Sequence, residues 1–561
     1  MSSFKSNLNP EFRSKFSEDI FNHKYRHEGA ETWDALSKTL VEDVCGGELT
    51  KEEVDQLTTY IREMKFIPGG RYLYYAGRPN KFFNNCYLLK AEEDSREDWA
   101  NLSWKAENCL MTGGGIGVDY SVYRASGTPI SKTGGTASGP IPKMNMLNEI
   151  GRRVMQGGSR RSAIYASLNW QHGDVHDFLK AKDWASMPVG STGKTLWDIK
   201  QEDFNFPAPL DMTNISVNYD TEWLLNYYKT GKVGDVFMQN VRQAMQSAEP
   251  GFSFNFFDKE NETLRNACTE VTSDTDSDVC NLGSINMGRI KDIDEMADVV
   301  ALGTKFLICG TLKAKLPYDK VYETREKNRR LGLGLMGMHE WLIQRGSRYE
   351  VTPELHQWLS VYKGVSDKVS RETADEFGVS RPVANRAIAP TGSIGILAGT
   401  STGLEPIFAV AYKRRYLKGN SRWVYQYVVD SAAQTLIDRY GAQPDNVESA
   451  LDLAEDYERR MAFQADVQDY VDMSISSTIN LPSWGSKLNN EGTVDKFANT
   501  LAKYAPRLRG FTCYPDGSRG GQPLTSVPYQ EAVDKLGEEF DEHVVTHDIC
   551  DITGTGGSCG V

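Results

Sequence analysis

The stretch from Asn266 to Asn286 constrains this chain more than any other; from Arg265 it reads R-N-A-C-T-E-V-T-S-D-T-D-S-D-V-C-N-L-G-S-I-N. An amide (Asn266), a thiol (Cys268) and a carboxyl (Glu270) stand at i, i+2 and i+4. In an extended segment alternate side chains share a face, so this spacing predicts three reactive groups looking into one cavity. A second thiol, Cys280, follows a run of Ser, Asp and Thr, a composition that favours a turn and lets the chain double back. Taken by itself, the stretch also fits an extended strand with a half-buried Cys and a solvated Asp-rich loop.

Length and charge narrow the chemistry. The 561 residues carry 63 basic against 76 acidic side chains, a net charge of −13. Non-specific attraction to nucleic acid or to an anionic membrane is not expected, and a nucleotide would need a local site. No apolar run reaches the length of a membrane span, and the start, M-S-S-F-K-S-N-L-N-P, lacks a signal-peptide layout, so a cytoplasmic protein is expected. Nine cysteines without a C-x-x-C pair argue against a disulfide scaffold and against a zinc ribbon, so no metal site is expected. In a reducing cytosol, paired thiols point to catalysis.

Taken in order, residues 1–65 read as a short helical segment, with Thr50 capping a helix that has acidic residues in its first turn. Tyr72 to Tyr75 look strand-like, and Cys86 opens a short strand. Gly113, Gly114 and Gly115 suit a tight turn or the close approach of a ligand. A helix from Lys143 to Met155 ends at a Gly stop, just before Arg160 and Arg161, a surface pair or a phosphate clamp. V-G-S-T-G-K-T is a decoy, because Pro188 stands where a phosphate-binding P-loop needs its first glycine. A strand at 214–219, a helix over about 221–247 and a return to the sheet by 254 follow, then a helix over about 292–315. Pro390, Thr391, Gly392 and Ser393 precede an apolar helix and form a candidate anion site. The last fifteen residues carry Cys550 and Cys559 in a Gly-rich setting that reads as a swinging redox arm.

These pieces together resemble the catalytic subunit of ribonucleotide reductase. N-A-C-T-E keeps the Asn, Cys and Glu of that family's radical-cysteine motif while Ala267 and Thr269 replace its Pro and Gly. V-C-N-L-G-S-I-N, N-N-C-Y-L-L, G-G-G-I-G-V-D-Y-S, Q-G-G-S-R-R-S-A, N-R-R-L-G-L-G-L-M-G and A-P-T-G-S-I are similar to further family signatures in the family's order. The resemblance implies a ten-stranded α/β barrel of two five-stranded parallel halves over residues 66–535, with Cys268 on a central finger loop. Residues 536–561 would be a flexible redox tail, and 1–65 is too short for the family's ATP cone. Cys268 would become a thiyl radical, Glu270 the base and Asn266 the holder of the sugar hydroxyls, with Cys86 and Cys280 supplying electrons. Gly114, Gly115 and residues 390–393 would bind substrate, and Arg160 and Arg161 a deoxynucleotide or ATP effector. Cys550 and Cys559 would be reloaded by a thioredoxin- or glutaredoxin-like protein.

The resemblance further implies reduction of ribonucleoside di- or triphosphates and a homodimer across the helix that starts at Lys143. For the radical source, adenosylcobalamin is slightly ahead of a ferritin-like, metal-bearing partner subunit. The reason is that F-T-C-Y-P offers only Tyr514 where partner-dependent relatives carry adjacent tyrosines. A thiol–disulfide oxidoreductase and a catalytically inactive nucleotide-binding relative are the alternatives.

Overall fold

The computed structural model describes residues 11–154, 162–203, 206–418, 422–518 and 524–544. Its first layer is helical, as the charge pattern predicts. Helices Trp33–Cys45 and Lys51–Arg62 pack together, and Thr50 closes the second with a reciprocal capping box to Glu53. Strand β1 (Phe66–Pro68) follows, but Gly70–Tyr75 is a helix and not the strand expected around Tyr72. Tertiary packing overrides the aromatic β-preference here, with the Tyr72 ring stacked on Phe83 at 4.6 Å.

Between Cys86 and Phe254, short apolar strands alternate with helices, the pattern that generates parallel pairing through crossovers. Strands β2 (Cys86–Lys90), β3 (Gly115–Asp119), β4 (Ile164–Asn169), β5 (Thr213–Tyr219) and β6 (Gly251–Phe254) pair in that order, all parallel. The helix expected over 221–247 is two, Thr221–Thr230 and Asp235–Ser247, because Gly231 adopts φ 66° and ends the first.

A small antiparallel hairpin, β7 (Leu264–Arg265) with β8 (Thr272–Ser273), leads into β9 (Asp278–Asn286), buried along its whole length. β9 pairs antiparallel with β1 and β2, and parallel with β10 (Leu331–Met336). A long hairpin, β11 (Ala411–Lys418) and β12 (Arg422–Val429), stands apart. Further on, β13 (Thr478–Leu481) runs parallel to β14 (Gly510–Pro515), and β14 meets β6 antiparallel. Together these form one sheet of ten strands, β1-β9-β2-β3-β4-β5-β6-β14-β13 with β10 on β9. Beyond β10 the backbone continues the pattern: Leu333 N–H donates to Asn385 (3.0 Å), Ile388 N–H to Ser474 (3.2 Å), and Ser476 N–H to Ile388 (2.8 Å).

The β11–β12 hairpin is flanked by β15 (Leu524–Ser526) and β16 (Glu539–Val544) in a separate four-stranded antiparallel sheet. The stretch from 536, read from the sequence as a flexible tail, therefore starts with a strand as far as Val544. No described helix is long and apolar enough to cross a membrane. Side chains alternate across β2, so that Tyr87 and Leu89 join a large outer core, whereas Cys86 and Leu88 join a smaller cluster with Cys280, Val271 and Met473. Both thiols thus face the side of the sheet on which the β7–β8 hairpin lies.

Candidate active site

The hairpin tip is a turn and not the extended segment that the i, i+2, i+4 spacing suggested. Thr269 sits in the left-handed region (φ 72°), and its N–H closes the turn on the Asn266 carbonyl at 3.0 Å. The Asn266 side chain braces the same turn, its Oδ1 accepting the Val271 N–H at 3.0 Å. Asn266, Cys268 and Glu270 are gathered by this turn, not by alternation along a strand. Arg265 anchors its base, donating to Asn255 Oδ1 at 2.7 Å and to the Arg509 carbonyl at 3.2 Å.

Two glycines of β3 make room for this loop. A Cβ on Gly117 would lie 1.6 Å from the Arg265 carbonyl oxygen, and one on Gly115 would lie 3.4 Å from the Ala267 Cβ. The close approach read from G-G-G-I-G is therefore made in part by the protein's own backbone. Gly114, a candidate substrate contact, abuts the Tyr87 ring, where a Cβ would lie 2.3 Å away.

Cys86 and Cys280 are direct partners in the β2–β9 register. The Asn266 amide donates to Cys86 Sγ at 3.1 Å, and Cys280 donates to the Asn281 carbonyl at 3.4 Å. Both are buried, and neither is in a disulfide. Burial pushes both thiols well above their ordinary range, and the Glu270 charge pushes further in the same direction. They are held as neutral S–H groups, ready to give hydrogen.

Glu270 is fully buried, and neither carboxylate oxygen has a partner in hydrogen-bonding geometry among the described residues. Burial raises its pKa from 4.5 to about 7, with the nearby Asn266 amide and its own backbone N–H offsetting part of the shift. Its carbonyl is fixed by the Ser474 N–H at 2.8 Å. The sequence reading missed Ser474, whose buried hydroxyl also has no partner among the described residues; the residue carries no motif that could have marked it.

The Asp-rich run is not a solvated loop. Asp276 is buried against Lys105 (2.8 Å) and Lys320 (2.9 Å) and accepts the Lys90 N–H at 2.8 Å. Asp278 is buried against Arg330 at 2.7 Å and accepts from Ser273 at 2.6 Å. These ion pairs pin the return from the hairpin to β9.

On another side of the tip, Cys268 opens on a cavity of about 60 Å³ lined by Tyr165, Ser216, Thr478, Thr512, Cys513 and Tyr514 among others. Tyr514, the candidate radical-transfer residue, thus lines the same cavity as Cys268. Pro390 to Ser393 lead into the helix Gly392–Ala398, with Thr391 left-handed at φ 50° and Lys24 donating to Ser393 Oγ at 2.8 Å. Arg160, Arg161, Cys550 and Cys559 lie outside the described residues. Among the described residues no group of His, Cys, Asp and Glu could hold a metal ion.

A mixed α/β sheet that presents a loop-borne thiol, an unpaired carboxyl and a facing pair of thiols defines a class of site built for redox chemistry at sulfur. The chain belongs to the ribonucleotide reductase family: residues 84–357 and 366–509 match the model described as ribonucleotide reductase, barrel domain. It is 26% identical over 552 residues to a vitamin B12-dependent ribonucleoside-diphosphate reductase of Mycobacterium tuberculosis (strain CDC 1551 / Oshkosh), covering 87% of this chain and 75% of that one. It is similar at the same identity to the protein of that name from Thermoplasma acidophilum, over 84% of this chain and 66% of the relative. A ribonucleoside-diphosphate reductase subunit alpha from Synechocystis is 23% identical over 54% of this chain and 44% of its own length.

Proposed function

We propose that this chain is a ribonucleotide reductase catalytic subunit that converts ribonucleoside di- or triphosphates to 2′-deoxyribonucleotides through a thiyl radical on Cys268. One observation carries the reading: the structure gathers Asn266, Glu270, Cys86 and Cys280 around the turn that holds Cys268. Cys268 takes the 3′ hydrogen of the ribose, Glu270 accepts the 3′-hydroxyl proton and Asn266 orients the sugar hydroxyls. Cys86 and Cys280 then supply two electrons, the 2′ hydroxyl leaves as water, and the two thiols end as a disulfide.

The sheet is read as a closed ten-stranded barrel of two parallel halves, β2–β6 and β9, β10, 386–388, β13, β14, spanning 66–535 after a helical segment over 1–65. The backbone bonds of Leu333, Ile388 and Ser476 and the parallel bridges Leu333–Arg386 and Ile388–Ile475 support closure. Gly114, Gly115 and residues 390–393 take the substrate, with its phosphates on Thr391, Gly392 and Ser393, and Arg160 and Arg161 take the effector. Cys550 and Cys559, in the tail over 536–561, relay electrons from a thioredoxin- or glutaredoxin-like reductant. Trp104 (51% exposed), Met111 (63%) and Met146 (50%), on the helices Arg96–Met111 and Pro140–Arg153, favour a homodimer across this face.

Relatives named as vitamin B12-dependent favour adenosylcobalamin over a ferritin-like partner. Tyr165, Ser216, Thr478 and Thr512 line the cavity on Cys268 and would hold the nucleoside end of such a cofactor, for which this space of about 60 Å³ must widen. When bound, adenosylcobalamin supplies the one-electron oxidation that converts a thiol to a thiyl radical.

The test is reduction of mixed CDP and CTP with dithiothreitol and an effector nucleotide, with and without adenosylcobalamin. Deoxynucleotide formed only with cobalamin is expected, and the product identifies the phosphate level. No product, with cobalamin or with an added ferritin-like subunit, refutes the reading.

A further inference from the structure

The segment that precedes helix Trp33–Cys45 lies along the loop assigned above to the substrate phosphates. Its helix Lys15–Ile20, capped by Ser14, packs against helix Gly392–Ala398. Three side chains tie the two together. Lys24 Nζ donates to Ser393 Oγ at 2.8 Å, Ser17 Oγ to the Ile396 carbonyl at 2.7 Å, and Arg13 to the Gly399 carbonyl at 3.1 Å. These contacts meet the first turn, the middle and the C-cap of helix Gly392–Ala398 in that order. The two segments therefore run antiparallel, and Lys24 stands at the end where Thr391 to Ser393 lie.

The backbone that carries Lys24 is fixed on both sides. Past Ile20 the helix widens into one π-helical turn, Phe21–Tyr25, in which the Arg26 N–H reaches back to the Phe21 carbonyl at 3.0 Å. Such turns are rare and recur at functional sites. Phe21 and Tyr25 are buried in the core, Phe21 against Phe12 (ring centroids 5.5 Å) and Trp33 (6.2 Å). At the other end Arg13 also pairs with the buried Glu340 at 2.7 Å, which takes the Thr400 hydroxyl as well. The loop itself brings no charge: Pro390, Thr391, Gly392 and Ser393 are neutral, and the Thr391 hydroxyl accepts the Gly403 N–H at 2.7 Å. Neutral donors can orient a phosphate chain, but a bond from an ammonium to an anionic oxygen is about twice as strong as a neutral one.

We propose that Lys24 is a substrate-binding residue that supplies the cation for the phosphate chain of the ribonucleotide, through the same Ser393 it now touches. Ser17 and Arg13 are positioning residues that hold its helix on the loop. The proposal rests on the reading that residues 390–393 take the substrate phosphates, and it extends that site to the N-terminal segment, which no step above uses. The ammonium meets the phosphates alike before and during reaction, so its loss weakens nucleotide binding and raises KM more than it lowers kcat.

The experiment measures binding of CDP and CTP to the full-length protein by titration calorimetry, with an effector nucleotide present and without cobalamin or reductant. Wild type is compared with Lys24→Gln, which keeps a donor for Ser393 but removes the charge, and with Lys24→Arg, which keeps the charge. For whichever nucleotide the wild type binds more tightly, Lys24→Gln should lose about tenfold or more in affinity and Lys24→Arg no more than about threefold. In the wild type, which needs no variant to fold, that nucleotide should protect Lys24 from acetylation, read by mass spectrometry, while cytidine at the same concentration should not. The proposal is overturned if Lys24→Gln binds as the wild type does, if Lys24→Arg loses as much as Lys24→Gln, or if the nucleotide leaves Lys24 acetylation unchanged. Any of these results with a wild type that still binds CDP or CTP leaves the reductase reading standing; a wild type that binds neither overturns both.

Discussion

Glu270 and Asp276 lie six positions apart, both buried, and they differ in the company they keep. Asp276 is met by two lysines and a backbone N–H, and these hold its carboxyl below the usual range in spite of burial. Among the described residues no cation pairs with Glu270, and burial lifts it to about 7. The comparison teaches that burial alone does not decide a carboxylate's state. One region invests its interactions in holding β9 in place, whereas the other withholds them, leaving a group that can take a proton near neutrality beside a thiol.

Replacing the reactive atom should have the largest effect and sharpen the contrast between site and frame. Cys268→Ser should lower deoxynucleotide formation by at least about 10⁴-fold while Tm stays within about 2 °C of wild type, measured by product assay and calorimetry. Asp276→Ala reverses the balance. It leaves Lys105 buried without its partner and should cost about 3–5 kcal/mol in denaturant unfolding. Gly117→Ala tests whether the loop needs the space beneath it. With a Cβ 1.6 Å from the Arg265 carbonyl, the turn must move, which should lower stability by about 1–3 kcal/mol and depress kcat at least tenfold.

The smallest expected effect is a pH dependence of opposite sign at the two carboxyls. Glu270 has a folded pKa above its unfolded value, so the native state binds the extra proton. Its contribution to stability therefore falls as pH rises from about 4.5 to about 7, by on the order of 1–3 kcal/mol. Asp276 has a depressed folded pKa. Its stabilisation is present above the ordinary carboxylate range and is lost as pH falls through the lowered value. Urea unfolding across pH 4–8 should lose the first slope in Glu270→Gln and keep it in Asp276→Asn; identical profiles for the two variants would remove the contrast.

The Thr50 cap and the strand opening at Cys86 were legible because local residue pattern marks them, whereas the parallel pairing seen from β2 to β6 was expected only from the family resemblance. The facing of Cys86 and Cys280 came from the family resemblance, and the register agrees with it. The turn at Cys268 was not legible in the i, i+2, i+4 spacing, and only the family resemblance put that thiol on a loop. Alternation predicts a shared face only in an extended chain, and nothing local announces that Thr269 adopts a left-handed conformation. The burial of Asp276 was hidden for a different reason, since its partner Lys105 lies 171 residues away. A polar run reads as solvated until tertiary structure brings it a cation.

The most direct test of Cys268 chemistry with Glu270 as proton acceptor is the pH dependence of kcat for deoxynucleotide formation, wild type against Glu270→Gln, from pH 5.5 to 8.5. The wild-type rate should rise with pH to a plateau, with an apparent pKa near the value of about 7 set by burial. Glu270→Gln should lose about 10²–10⁴-fold and the titration with it. A flat wild-type profile, or a variant that keeps both rate and titration, would contradict the account.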